Sequence, residues 1–201
     1  VAGGYAGGVG VVVDDGGNDT YFVKRGPGGD NRSGWSGNHA LANGCHRGIG
    51  YLLDRAGNDR YSASGLGGGC GWDLGVAYLM DLDGDDALVD LHGKNLGGNT
   101  AWPAAASVTA SFHKGGTDTY ERTTYGDART MPEGYPSAGG NFGFFLDVGP
   151  EKDIYPGKEG DKRPYDNNTA RADQTTPKKE ADGKEYPQGI GVFVDGALDL
   201  K

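Results

Sequence analysis

Short apolar runs recur along the chain, each bounded by glycine and followed by a turn rich in Asp, Gly and Asn. The first run, Val9–Val13, lies in the segment GVGVVVDDGGNDTY from Gly8 to Tyr21. The second, Ile49–Leu53, lies in GIGYLLDRAGNDRY from Gly48 to Tyr61. The two segments match at Gly, Gly, Asp, Gly, Asn, Asp and Tyr. Looser copies follow: GVAYLMDLDGDDAL from Gly75, ASVTASFHKGGTDTY ending at Tyr120, GNFGFFLDVGPEKDIY ending at Tyr155, and GIGVFVDGALDL from Gly189. An apolar run of about four to six residues between glycines is too short for a helix and fits a buried strand. Asp, Asn and Gly accept left-handed backbone and hydrogen-bond their own main chain, so they turn the chain. A second strand is expected to start at Tyr21, Tyr61, Leu88, Tyr120 or Tyr155. Each repeat therefore reads as strand, acidic turn, strand and variable excursion.

The equivalent positions Asp14, Asp54, Asp81, His113, Asp147 and Asp195 are unevenly spaced, by 27 to 48 residues. A propeller blade takes about 40–45 residues, and the shortest step is too small for one. The pattern predicts a single all-β domain over residues 1–201: a repeat β-solenoid, parallel β-helix-like, of about six coils. A β-propeller is the alternative. Stacked coils bury their apolar faces against neighbours and eject insertions as loops. Polar excursions are expected at 24–44, 121–138 and 156–188.

Composition sharpens this picture. The 40 glycines argue against long helices. A net charge of −9 argues against nucleic-acid binding, which needs clustered Lys and Arg. No apolar run is long enough to span a membrane as a helix. The chain begins at Val1, which reads as a processed or trimmed chain and fits an extracellular or cell-surface location. Cys45 and Cys70 occupy similar places in successive repeats, so a disulfide is expected; two buried thiols are the competing reading.

GGNDTY, from Gly16 to Tyr21, resembles the glycine- and aspartate-rich nonapeptide of RTX-type calcium-binding β-rolls. GNDRY at Gly57–Tyr61 and GGTDTY at Gly115–Tyr120 are similar to it. That resemblance implies calcium held by turn aspartates and main-chain carbonyls of stacked coils. DLDGDDALVDL, at Asp81–Leu91, resembles the calcium loop of FG-GAP repeats. The wider G-N-D-x-Y pattern looks like the glycine-rich repeats of secreted bacterial proteins, which implies a solenoid and no activity.

Calcium takes six to eight oxygens, and the turns supply them. Asp14, Asn18 and Asp19 form one candidate set; Asp54, Asn58 and Asp59 form the next. Asp81, Asp83, Asp85 and Asp86 make the densest cluster. Stacked carboxylates repel, and a cation between coils removes the conflict. The plain alternative is that these residues only turn the chain. The turn at His113 and Lys114 departs from the pattern and is read as metal-free. His39, His46, His92 and His113 show no zinc spacing and read as exposed loop residues. Acids occur in every repeat, so no catalytic pair stands out, and no nucleophile elbow is present.

Trp35, Trp72 and Trp102, with the tyrosines, could stack on sugars, which makes a carbohydrate- or partner-binding module the second reading. Ladders of internal aromatics are the simpler one. Asn31 and Asn167 begin glycosylation sequons. Neither end shows a polar cap, so head-to-tail self-association into a fibre or surface layer is the expected structural role.

Overall fold

A computed structural model describes residues 2–23, 41–63, 68–69, 71–72, 74–89, 99–100, 107–120, 142–155, 166–174, 178–179, 183, 185–186 and 189–197. The first repeat contributes β1 (Gly3–Tyr5), β2 (Val9–Asp14) and β3 (Thr20–Val23). The second contributes β4 (Asn43–Cys45), β5 (Ile49–Asp54) and β6 (Arg60–Ala63). β7 (Gly71–Trp72), β8 (Val76–Asp81) and β9 (Ala87–Val89) follow, then β10 (Asn99–Thr100), β11 (Val108–Lys114) and β12 (Thr119–Tyr120). The last elements are β13 (Phe142–Val148), β14 (Ala170–Gln174), the β15 (Lys178–Lys179) and β16 (Glu185–Tyr186) pair, and β17 (Ile190–Asp195). No helix occurs among the described residues, and so none there is long and apolar enough to cross a membrane.

Equivalent strands of successive repeats pair in parallel and in register. β2, β5, β8, β11, β13 and β17 form one sheet in that order, and β14 pairs antiparallel along β17. The first strands form a second sheet, β1-β4-β7-β10, and the last a third, β3-β6-β9-β12. Thr119 continues the third sheet by bridging Ile154. The third-sheet strands begin at Thr20, Arg60, Ala87 and Thr119, one residue before the expected start. Parallel ladders between repeats are not the antiparallel blades of a propeller.

Side-chain alternation explains the register. Inward positions on the central sheet form three columns. Gly10, Gly50, Ala77, Thr109, Gly143 and Gly191 make the first. It is small because the neighbouring sheet packs backbone against it: a Cβ on Gly50 would lie 2.3 Å from Asn43 O. Val12, Leu52, Leu79, Ser111, Phe145 and Phe193 make the second, and Leu52, Leu79 and Phe145 are fully buried. Phe145 and Phe193 stack with ring centroids 5.2 Å apart. Asp14, Asp54, Asp81, His113, Asp147 and Asp195 make the third, in register across every rung. The turns are narrow: Gly84, at φ +149°, would place a Cβ 1.5 Å from Gly57 O, so only glycine stacks there.

Several expectations are corrected. The 24–44 excursion ends sooner, because Leu41 and Ala42 are fully buried and β4 starts at Asn43. The 156–188 excursion is not only loop, since it supplies β14, β15 and β16. β14 satisfies the backbone edge of β17, so that rung is not bare as expected; an open edge leaves unpaired N–H and C=O groups. His113 is no exposed loop residue: it is fully buried on β11. Cys45 is buried. Cys70, Asn31, His39, His92, Trp35, Trp102 and the 121–138 excursion lie outside the described residues.

Candidate metal centre

Each acidic turn sends its side chains in three directions, and each direction forms its own ladder. On the solvent side, Asn18 Oδ1 accepts the Asn58 N–H at 3.0 Å, Asn58 Oδ1 accepts the Asp85 N–H at 3.1 Å, and Asp85 Oδ1 accepts the Thr117 N–H at 2.7 Å. One residue further on, the direction reverses. The Asp19 N–H donates to Asp59 Oδ1 at 2.5 Å and the Asp59 N–H to Asp86 Oδ1 at 2.7 Å. The Asp86 N–H donates to Asp118 Oδ1 at 2.8 Å, the Asp118 N–H to Asp153 Oδ1 at 2.7 Å, and the Asp153 N–H to Asn167 Oδ1 at 2.6 Å. Side-chain carboxylate and amide oxygens thus tie the turns together where the strand ladders stop.

The third direction points inward, toward the tyrosines. Tyr21 donates its hydroxyl to Asp54, Tyr61 to Asp81 at 2.5 Å, Tyr120 to Asp147 at 2.6 Å and Tyr155 to Asp195 at 2.6 Å. In each case the tyrosine of one repeat meets the aspartate of the next. The rule lapses once, on both sides together. Leu88 stands where a tyrosine would, and the residue it would serve is His113. His113 Nε2 instead lies 2.8 Å from Ser111 Oγ. Burial holds His113 neutral, its pKa lowered to about 3.

The inward and reversed ladders converge on two groups of carboxylates. Asp59, Asp81 and Asp86 each bring an oxygen within 4.8 Å of the others, and so do Asp118, Asp147 and Asp153. That span is about twice a calcium–oxygen distance of 2.3–2.6 Å. Asp59 Oδ2 and Asp81 Oδ1 are buried and accept no hydrogen bond from the described residues. Two like charges so placed repel by roughly 3–4 kcal/mol at an effective dielectric of about 20. Desolvation, with neighbouring carboxylates adding to it, raises Asp81 and Asp118 to about 8. Asp59, Asp86, Asp147 and Asp153 are raised for the same leading reason, against partial relief from backbone donors or, at Asp147, the Tyr120 hydroxyl. Near neutral pH each group must therefore hold protons or a cation.

Of the residues expected to bind metal, Asp59, Asp81 and Asp86 come together. They come from two adjacent rungs rather than one turn. Asp54 is buried and takes the Tyr21 hydroxyl and the Ala56 N–H. Asp14 accepts the Gly16 N–H at 3.2 Å. Asn18, Asn58 and Asp85 belong to the solvent-side ladder, Asp83 is exposed, and Asp19 lies at the start of the reversed ladder. Asn167, which begins a sequon, donates its Nδ2 to Asp153 O at 2.9 Å. Asp118, Asp147 and Asp153 form a group that sequence reasoning missed. The signal was an aspartate two residues before each tyrosine, at Asp19, Asp59, Asp118 and Asp153.

Ser111, His113 and Asp118 stand in the order of nucleophile, base and acid, but all three are buried. His113 Nδ1 and Asp118 Oδ2 are 3.9 Å apart, beyond a hydrogen bond, so this line of groups is not a catalytic triad open to substrate. Comparison with protein-family models, curated proteins and solved structures finds no match for the chain.

Proposed function

We propose that this chain is an extracellular structural repeat protein, a parallel β-solenoid of about six coils whose buried aspartates hold calcium between coils. The in-register parallel ladders support the solenoid. The observation that carries the calcium reading is the Asp59–Asp81–Asp86 group, with two buried oxygens that no described residue satisfies. Its all-oxygen donor set suits a hard cation. The turn resemblance to RTX β-rolls agrees with it, and weak extracellular modules fill at calcium levels of about 10⁻⁴–10⁻³ M.

Self-association into a fibre or surface layer belongs to this reading. The outer edge of β2 is unpaired among the described residues, with Val9, Val11 and Val13 exposed by 66%, 58% and 52%. The far edge of β17 is taken by β14. Among the described residues β14 then ends the sheet with an outer edge of its own, so each end offers an edge for pairing between copies.

Calorimetric titration of calcium into the chelator-stripped chain tests the proposal. Saturable binding that Asp81→Asn weakens at least tenfold is expected. Absence of calcium binding to the wild-type chain would overturn it.

A further inference from the structure

The inward columns account for one face of the central sheet. Its other face carries the alternate residues of the same six parallel strands, in three outward columns. On β5 these are Ile49, Tyr51 and Leu53; on β13 they are Phe142, Phe144 and Leu146. The other four strands place only Val, Ile, Ala, Tyr, Met or Phe at the matching positions. No charged residue stands in any of the three columns, in a chain of net charge −9. Val9, Val11, Val13, Ile49 and Phe142 are exposed, and the rest of the face is half-buried. Just past the strand ends Arg55 pairs with Asp15, which gives the apolar face a charged rim, as interfaces have.

The core of the coils does not need this face. β1, β4 and β7 pack on the opposite side of the sheet, against its glycine column. Parallel sheets are as a rule covered on both faces. Strands about 4.8 Å apart, with alternate residues about 6.6 Å apart, give each outward position about 32 Å². Three columns over six strands then make a flat footprint of about 570 Å², at the upper end of the largest apolar patches on monomers, about 300–600 Å². The chemistry of the face selects its occupant. Sugars need hydrogen-bonding groups, and here the Tyr51 hydroxyl is turned to Met80 Sδ at 3.6 Å within the face. An anionic membrane attracts basic flanks, whereas acidic turns flank this sheet. A second copy brings the same uncharged ladder at the same strand spacing, with its like charges kept at the strand ends. Two such footprints bury about 1,100 Å², which passes the roughly 1,000 Å² of a specific interface.

We infer that the outer apolar face of the central sheet is an interface between two copies of this chain, packed sheet against sheet. Stacked sheets lie about 10 Å apart, with side chains of the two faces interdigitated. A face that docks on its own counterpart is isologous and closes at two copies. The contact joins copies side by side and leaves the outer edges of β2 and β14 free. It therefore goes beyond the edge contacts of the self-association reading, and it does not require calcium.

Sedimentation velocity on the full chain, over a hundredfold range of concentration and with and without calcium, tests it. Dimers are expected as the smallest abundant species. Ala110 and Tyr78 pair in register on the two middle strands of the sheet. Ala110→Glu and Tyr78→Lys each put a charge at the centre of the face and should weaken dimerisation at least a hundredfold, with the circular dichroism of the wild type. The lysine keeps an apolar stem against the sheet, so Tyr78→Lys remains informative if Ala110→Glu fails to fold. Dimers that persist in a folded variant would overturn this inference alone and leave the strand edges as the contact. A wild-type chain that stays monomeric throughout would overturn it together with the self-association reading.

Discussion

The Tyr61–Asp81 rung and the Leu88–His113 rung occupy equivalent places and solve one problem in opposite ways. In the first, a buried carboxylate is kept by giving it a hydroxyl from the previous repeat. In the second, donor and acceptor are both gone, and a neutral histidine bonds to Ser111 within its own strand. The contrast shows that the aspartate column is coupled to the tyrosine column rung by rung. Neither column is decoration of a turn.

The strongest way to break the comparison is His113→Asp, which places a carboxylate opposite Leu88. A loss of about 3–5 kcal/mol in unfolding free energy is expected, as for other buried charges without partners. Adding Leu88→Tyr should return part of it, with a favourable coupling of at least about 1 kcal/mol in the double-mutant cycle by urea denaturation. Additive losses would mean that the two columns are independent.

Tyr61→Phe attacks the regular rung from the donor side. It removes only the hydroxyl that Asp81 accepts, so a loss of about 1–3 kcal/mol is expected, measured by the same denaturation. Asp59→Asn sharpens the contrast between the clusters. The asparagine oxygen still accepts the Asp19 N–H, while one charge leaves the triad. In chelator its melting temperature at pH about 8 should match or exceed that of the wild type, by an amount within the repulsion of roughly 3–4 kcal/mol, and its response to calcium should shrink. The smallest effect belongs to the solvent side. Asn18→Ala loses one exposed acceptor for the Asn58 N–H and should cost no more than about 1 kcal/mol.

Much of the central sheet was legible in the sequence, because glycine-bounded apolar runs leave few alternatives. Val9–Val13 and Ile49–Leu53 fall in β2 and β5, and the six runs give the six parallel strands of that sheet. The second sheet was not legible. Gly3–Tyr5 and Asn43–Cys45 are short and lack apolar alternation, and their place is set by packing against Gly10 and Gly50. β14 was hidden for a related reason: ARADQ carries no strand pattern, and the open edge of β17 recruits it. The carboxylate group was only half legible. The candidate sets divided the aspartates turn by turn, with a cation expected between coils, whereas the fold joins Asp59 to Asp81 and Asp86 of the next rung. The second group escaped because His113 marked its coil as the exception and an insertion displaces Asp153.

The most direct test is the melting temperature followed by circular dichroism between pH about 6.5 and 8.5, in calcium and in chelator. Aspartates whose folded pKa lies above the unfolded value stabilise the protein fully only below about pH 4, and that contribution is lost as pH rises through the folded values. Asp81 and Asp118, at about 8, set the upper end of the loss. His113 works the other way, since its lowered pKa costs stability only as pH falls below about 6.5. The chosen window therefore isolates the carboxylates. In chelator the melting temperature is expected to fall as pH rises, and in calcium to stay level or climb, so the two curves diverge. Curves that coincide across the window would contradict a cation-completed aspartate stack.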